Sequence, residues 1–198
     1  MLLTFGHGTA TAERMTELLR GAGVAVLVDV RTAPGSRRHP HVARAELERW
    51  LPEAGISYRW DKRLGGFRKA APDSPDTAWR EDMFRGYAAH MRTGEFQAAM
   101  DEVLAQAGVD STAVMCAESL WWRCHRRLIA DFAVASRGVR SGICCTTGGS
   151  RSTVCPPACG GATTACSSTT RARPACCNGG VSPGSGRNRW SATSSRSR

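Results

Sequence analysis

Apolar positions along residues 1–139 switch between a strand-like and a helical period, and that alternation sets the expected fold. Leu2–Phe5 is a short apolar run closed by Gly6-His7-Gly8, the pattern of a strand and a turn. Met15, Leu18 and Leu19 then recur at helical spacing; Thr9 or Thr11 can cap that helix, and Gly21–Gly23 closes it. Val24–Val28 is uninterrupted apolar sequence, as in a strand buried on both faces of a parallel sheet. It ends in Asp29-Val30-Arg31, after which Pro34, Gly35 and Pro40 mark a loop.

The same reading continues downstream. A helix is predicted over Arg44–Ala54, with Leu47, Trp50 and Leu51 on one side and Gly55 as its stop, followed by a strand over Ile56–Trp60. Residues 61–78 form a long polar loop with Gly65-Gly66, Pro72 and Pro75. Two helices come next, near Arg80–Met91 (Met83, Tyr87 and Met91) and Glu95–Ala107 (Phe96, Met100, Val103 and Leu104). Thr112–Cys116 is a strand and Cys124–Ser136 a helix using Leu128, Ile129 and Phe132. Strands alternating with helices predict an α/β fold: three layers, a mostly parallel sheet flanked by helices, with right-handed crossovers. Arg137-Gly138-Val139 reads as a helix stop and the first residue of a further strand.

Beyond Val139 the chain changes character. From Arg140 onward only Ile143, Val154 and Val181 are large aliphatic residues, and the rest is mainly Gly, Ser, Thr, Cys, Pro, Ala and Arg. Such a composition cannot bury enough apolar surface to offset the entropy of ordering a backbone. It also resembles a GC-rich gene read out of frame. With permitted codons, a neighbouring frame of residues 152–160 reads His-Arg-Leu-Pro-Ala-Cys-Val-Arg, which is ordinary protein sequence. The expected organisation is an α/β domain over 1–139, truncated at its last strand or strands, and a non-native, disordered C-terminal tail over 140–198. The alternatives are a genuine Arg-rich arm or a metal-binding tail, the latter disfavoured because Cys155-x3-Cys159 and the adjacent cysteine pairs lack zinc-site spacing.

That division redistributes charge and sulfur. The formal net charge is +10, but residues 138–198 hold 8 of the 27 basic residues and none of the 17 acidic ones, leaving 19 − 17 = +2 for residues 1–137. Seven of the nine cysteines lie in the tail, leaving only Cys116 and Cys124 before it. The tail cysteines are read neither as a disulfide framework nor as a sign of secretion. The N-terminus has no secretory apolar core and no run approaches membrane-spanning length, so the expected location is cytoplasmic, without a membrane partner.

Candidate chemistry collects where the strands end. In open α/β sheets ligands gather beyond the carboxyl ends of the strands. His7 follows the first strand, Asp29 and Arg31 the second, and Cys116 with Glu118 the fourth. From Val114 to Arg126 the chain runs strand, cysteine, loop, then Arg123-Cys124-His125-Arg126 opening a helix. A helix N-terminus favours anions and thiolates, and Arg123, Arg126, Arg31, Arg37 and Arg38 can add to that field. The order resembles thiol phosphatases and sulfurtransferases, although their Cys-x5-Arg spacing is Cys-x6-Arg here, from Cys116 to Arg123.

Plainer roles compete at each position. Cys116 can be a small core residue, Cys124 and His125 can cap and pack the helix start, and Asp29 with Arg31 can be a structural ion pair. A metal held by His7, Cys116, Cys124 and His125 is not expected, because Cys-x7-Cys-His is not a recognised ligand spacing.

Several segments carry a family resemblance. Thr4-Phe5-Gly6-His7, Leu27-Val28-Asp29-Val30-Arg31 with Pro34 and Ser36-Arg37-Arg38, and Leu64-Gly65-Gly66 occur in that order. Trp79, Phe84–Ala88, Met115–Glu118 and Arg123–Arg126 follow. Across residues 1–139 the chain thus resembles the domain-of-unknown-function 488 family of bacteria and archaea. The resemblance implies a cytoplasmic α/β domain and supplies no reaction. Gly8 stands where the family commonly has serine, and the family continues past the Cys-His-Arg helix with another strand and a His-Arg-Leu-like segment.

Two functions are compatible with these residues. In the first, a small anionic or nucleotide-like ligand binds among His7, Asp29, Arg31, Arg37, Arg123 and Arg126. Cys116 or Cys124 is then the nucleophile and Glu118 or His125 the proton carrier. In the second, Arg31, Arg37, Arg38, Arg63, Arg68 and Lys69 contact nucleic-acid phosphates, a reading the +2 charge of residues 1–137 opposes. Neither cofactor nor oligomeric state is legible.

Overall fold

The computed structural model describes residues 1–144 and the backbone of Val154–Cys155. The chain runs β1 (Leu2–Gly6), α1 (Ala12–Gly21), β2 (Val26–Asp29), α2 (Arg44–Glu53), β3 (Ser57–Trp60), α3 (Asp82–Met91) and α4 (Gly94–Val109). It continues through β4 (Thr112–Cys116), α5 (Arg126–Arg137), β5 (Ser141–Cys144) and β6 (Val154–Cys155). The strand order is β3-β2-β4-β1-β5-β6. Strands β1 to β5 are parallel, and β6 is antiparallel to β5.

Side-chain alternation along the strands builds two cores. Leu3, Phe5, Leu27, Ala113 and Met115 face α1 and α2, where they meet Met15, Leu18, Leu19, Leu47 and Leu51. Leu2, Val28 and Val114 face the other way, onto Phe96, Met100 and Val103 of α4 and Leu128 and Ile129 of α5. The three-layer architecture is as the pattern predicts. Of the two cap candidates, Thr11 is the one used: its hydroxyl accepts from the Arg14 N–H at 3.3 Å.

Helix α3 differs from its expected face. Phe84, Gly86, Tyr87 and His90 are buried, while Met83 and Met91 are only partly buried against the core. The polar loop of residues 61–78 covers this helix and turns it. Tyr87 donates to the Leu64 carbonyl at 2.8 Å, and His90 Nε2 lies 2.7 Å from the Arg63 carbonyl. A Cβ on Gly86 would overlap the backbone of Arg68 and Lys69.

The sheet also runs past the compositional boundary at Val139. Gly138, at φ 64°, ends α5 in the left-handed conformation, and the Leu2 N–H then bonds the Arg140 carbonyl at 3.0 Å. Ser141 to Cys144 pair with Leu2 to Phe5, so a further strand forms beside β1 from the first residues of the tail. Parallel pairing uses backbone groups, so small residues such as Ser141 and Gly142 satisfy it. The disorder expected of the tail concerns residues that, apart from 140–144 and the 154–155 backbone, lie outside the described ones. Among the described residues no helix is long and apolar enough to cross a membrane.

The topology determines where a ligand can lie. From β1 the chain leaves for α1 on one face of the sheet, and from the adjacent β4 it leaves for α5 on the other. Two neighbouring strands whose connections diverge open a crevice at their carboxyl ends. His7 and Gly8 follow β1 there, and Cys116 ends β4.

Candidate functional site

The floor of this crevice is an extension of the sheet. Beyond the last paired residues, the His7 N–H bonds the Cys116 carbonyl at 3.0 Å and the Gly8 N–H bonds the Ala117 carbonyl at 2.9 Å. The Val30 N–H likewise reaches the Met115 carbonyl at 2.9 Å. The three loops bearing candidate residues are therefore pinned to one another by backbone bonds.

On the β2 side, Asp29 and Arg31 form a buried ion pair. Arg31 Nε donates to Asp29 Oδ1 at 2.9 Å and Nη2 donates to Oδ2 at 2.5 Å. Tyr58 adds a hydroxyl bond to Oδ2 at 2.8 Å. Burial, then the facing Asp29 carboxylate, pushes the Tyr58 phenol up. Arg31 Nη2 also reaches the Val42 carbonyl at 2.8 Å, and Nη1 lies 3.4 Å from His7 Nε2. The guanidinium is thus engaged internally, as in the structural ion pair weighed for this motif. His7 offers Nδ1 to the Gly8 carbonyl at 3.0 Å, which leaves Nε2 to accept from Arg31. Burial, reinforced by the Arg31 charge, pulls the His7 imidazole down to about 4.

On the β4 side the fold brings Cys116, Cys124 and His125 together. Their Sγ and ring-nitrogen atoms all lie within 4.8 Å of one another. His125 Nδ1 is 3.6 Å from Cys124 Sγ and 3.9 Å from Cys116 Sγ. Its Nε2 lies 3.1 Å from the Val30 carbonyl and must donate there, so Nδ1 is the atom turned toward the sulfurs. Tyr87 packs on the ring with centroids 5.1 Å apart. Gly66 closes over it so tightly that a Cβ would lie 2.8 Å from Nδ1.

Arg126, the first residue of α5, is 1 % exposed and donates from Nε to Cys124 Sγ at 3.3 Å. Its Nη2 bonds the Glu118 carbonyl, and Gly6 must lack a side chain for that contact to pass. The two thiols titrate as one unit. A hydrogen bond from Cys116 lowers Cys124, assisted by His125 and Arg126, and the same bond with burial raises Cys116. The direction makes Cys124, the sulfur that Arg126 touches, the more readily ionised of the two. Cys116 is partly exposed, whereas Cys124 is buried.

The remaining expected residues sit apart from this cluster. The Glu118 carboxylate accepts the Leu120 N–H at 3.0 Å and so shapes the β4–α5 loop. Arg37, Arg38 and Arg123 are exposed on loops that leave the carboxyl end of the sheet. Sequence reasoning treated Tyr87 as one apolar helix position and Gly66 as loop, and missed Tyr58 as a partner of Asp29. The signal available for the first two was their place in the segments Phe84–Ala88 and Leu64–Gly66.

Comparison with known proteins adds one finding. Residues 11–133 match the family described as "Domain of unknown function DUF488". The chain belongs to the DUF488 family. No curated protein and no solved structure matches it. The matched span includes α1 through most of α5, and with them Asp29, Arg31 and the Cys116–Arg126 segment of this DUF488 protein. At Gly8, where the family resemblance leads one to expect serine, the Ser119 side chain occupies the space a Cβ would need.

Proposed function

We propose that this DUF488 protein binds a small anionic, nucleotide-like ligand in the crevice beyond β1 and β4, with the Cys116–Cys124 pair as its chemically active group. The observation that carries this reading is the placing of the sulfurs. Cys116, partly exposed, ends β4 at the point where neighbouring connections diverge, and Cys124 lies behind it against the Arg126 guanidinium and the start of α5. The exposure of Arg123 and Arg37, on loops that follow β4 and β2, supports the reading, since their charge would draw an anion toward that end of the sheet. Arg31 and Asp29 act as positioning residues, since their polar atoms hold His7, Val42 and Tyr58. His125 is the proton carrier best placed for either sulfur, at 3.6 and 3.9 Å.

Paired alkylation tests this. Full-length protein is treated with iodoacetate and with iodoacetamide in the presence of a chelator, and peptide mapping separates Cys116 and Cys124 from the tail cysteines. Cys116 is expected to react faster with the anionic reagent than with the neutral one, and Arg123→Ala to remove that preference. A preference of Cys116 for the neutral reagent, or a preference for the anionic one left unchanged by Arg123→Ala, would overturn the reading.

A further inference from the structure

We propose that Cys116 Sγ, Cys124 Sγ and His125 Nδ1 form a three-ligand site for a thiophilic divalent cation, zinc by preference, with a fourth position open to an anion. A tetrahedral zinc with bonds of about 2.3 Å to sulfur and about 2.0 Å to nitrogen places a sulfur and a nitrogen ligand about 3.6 Å apart. The two sulfur–nitrogen separations here are 3.6 and 3.9 Å. The remaining pair, the two sulfurs, also lies within the 4.8 Å that spans the cluster. Both sulfur–nitrogen separations therefore stand close to the required geometry.

The surroundings are those of a ligating histidine. His125 gives its other nitrogen to the Val30 carbonyl at 3.1 Å, which fixes the ring and turns Nδ1 to the sulfurs. Tyr87 and Gly66 hold the ring from two sides, and a Cβ on Gly66 would crowd Nδ1. Arg126 donates to Cys124 Sγ, the outer bond expected around a metal thiolate. The Cys-x7-Cys-His spacing gave no hint of this, because the three donors meet only when the β4–α5 loop folds back over the end of β4.

Charge selects the fourth ligand. Two thiolates and a neutral imidazole on a divalent ion sum to zero, the proton that Cys116 holds passing to solvent on binding. The buried Arg126 then leaves one positive charge beside the ion. An anion is the group that completes both the coordination and the charge, and the partly exposed Cys116 marks the side it enters from. This deepens the anion-binding reading and rests on it only for the fourth ligand; the ion itself binds or does not bind independently.

The test uses the full-length chain with Cys145, Cys155, Cys159, Cys166, Cys176 and Cys177 replaced by serine, so that no tail thiol beyond the buried Cys144 of β5 can contribute. Protein stripped with chelator is titrated with Co(II). One equivalent is expected to give the ligand-field and thiolate charge-transfer bands of a tetrahedral site, displaced by Zn(II). Cys124→Ser and Cys116→Ser should each weaken the charge-transfer band and the affinity by at least about tenfold, with His125→Gln similar. Absence of a saturating band, or a band unchanged in both serine variants, overturns the site. Should His125→Gln not fold, Cys116→Ser at the partly exposed position still decides. Loss of metal binding with iodoacetate preference intact removes the metal and leaves the anion site, and the reverse removes the anion site alone.

Discussion

His7 is buried with its two nitrogens committed to a carbonyl and a guanidinium, so a second proton on the ring has no acceptor and faces Arg31. The folded protein therefore binds fewer protons at this residue than the unfolded chain does below pH 6.5, the ordinary value from which it falls to about 4. Stability is fully present above pH 6.5 and declines as the pH falls from there toward 4, by roughly 3 kcal/mol in all. His90, lowered by burial, adds in the same direction. Urea midpoints measured against pH with chelator present should show the decline in the parent and a shallower one in His7→Asn. Phe67 gives the opposite kind of residue effect. It is 83 % exposed and held at φ 56°, a conformation that costs a non-glycine residue about 1–2 kcal/mol. Phe67→Gly loses no packing and pays about 0.5–1 kcal/mol in unfolded-state entropy, so a net stabilisation of about 0.5–1 kcal/mol is expected in denaturant melts. If the variant is less stable, the ring holds something in place.

At the scale of elements, the helices and strands were largely legible because each carries one period and a stop. The α1 cap, the β4 limits and the Gly138 stop follow from Thr11, Thr112–Cys116 and a glycine after an apolar stripe. What was not legible is how a polar loop packs. Residues 61–78 have no periodicity, yet Leu64 and Arg63 carbonyls set the rotation of α3, and Gly66 sets the position of His125. Val139 was legible as the start of a further strand, but its continuation through Ser141–Cys144 was not, because small residues give no hydrophobic signal and the pairing is backbone-driven. The sulfur cluster lay in a segment singled out for its residues, but spacing could not show that β4–α5 folds three donors to one point. The β2 end can be probed directly. Asp29→Asn leaves Arg31 buried without its counter-charge and should cost about 3–5 kcal/mol, whereas Tyr58→Phe, which removes one bond to the same carboxylate, should cost about 1–2 kcal/mol. Equal losses for the two would mean that the guanidinium finds another partner.

For the whole molecule, charge and fold belong to different parts of the chain. The basic character of +10 is a property of residues outside 1–137, which themselves carry +2. Arg31 and Arg63 are paired with Asp29, Asp61 and Glu102, and Arg68 bonds the Gly65 carbonyl, so half of the arginine and lysine set considered for phosphate contacts is engaged internally. The shift of reading frame near Val139–Gly142 that the tail composition suggests is tested by resequencing the coding region; one uninterrupted frame there defeats it. Polyanion binding separates the remaining possibilities. The full chain is expected to bind single-stranded oligonucleotides at low salt with an affinity that falls steeply as salt rises, because arginine-rich segments release counterions without reading sequence. Replacing the seven arginines from Arg151 to Arg198 by glutamine lowers the net charge to 10 − 7 = +3. That variant should lose at least about tenfold in affinity and most of the salt slope, since each phosphate contact removed takes about 0.7 of a unit from it on a single strand. If it binds as tightly and as salt-dependently as the parent, the phosphate contacts lie on the folded unit, with Arg37, Arg38 and Lys69 the first residues to replace, and the nucleic-acid reading displaces the small-anion one.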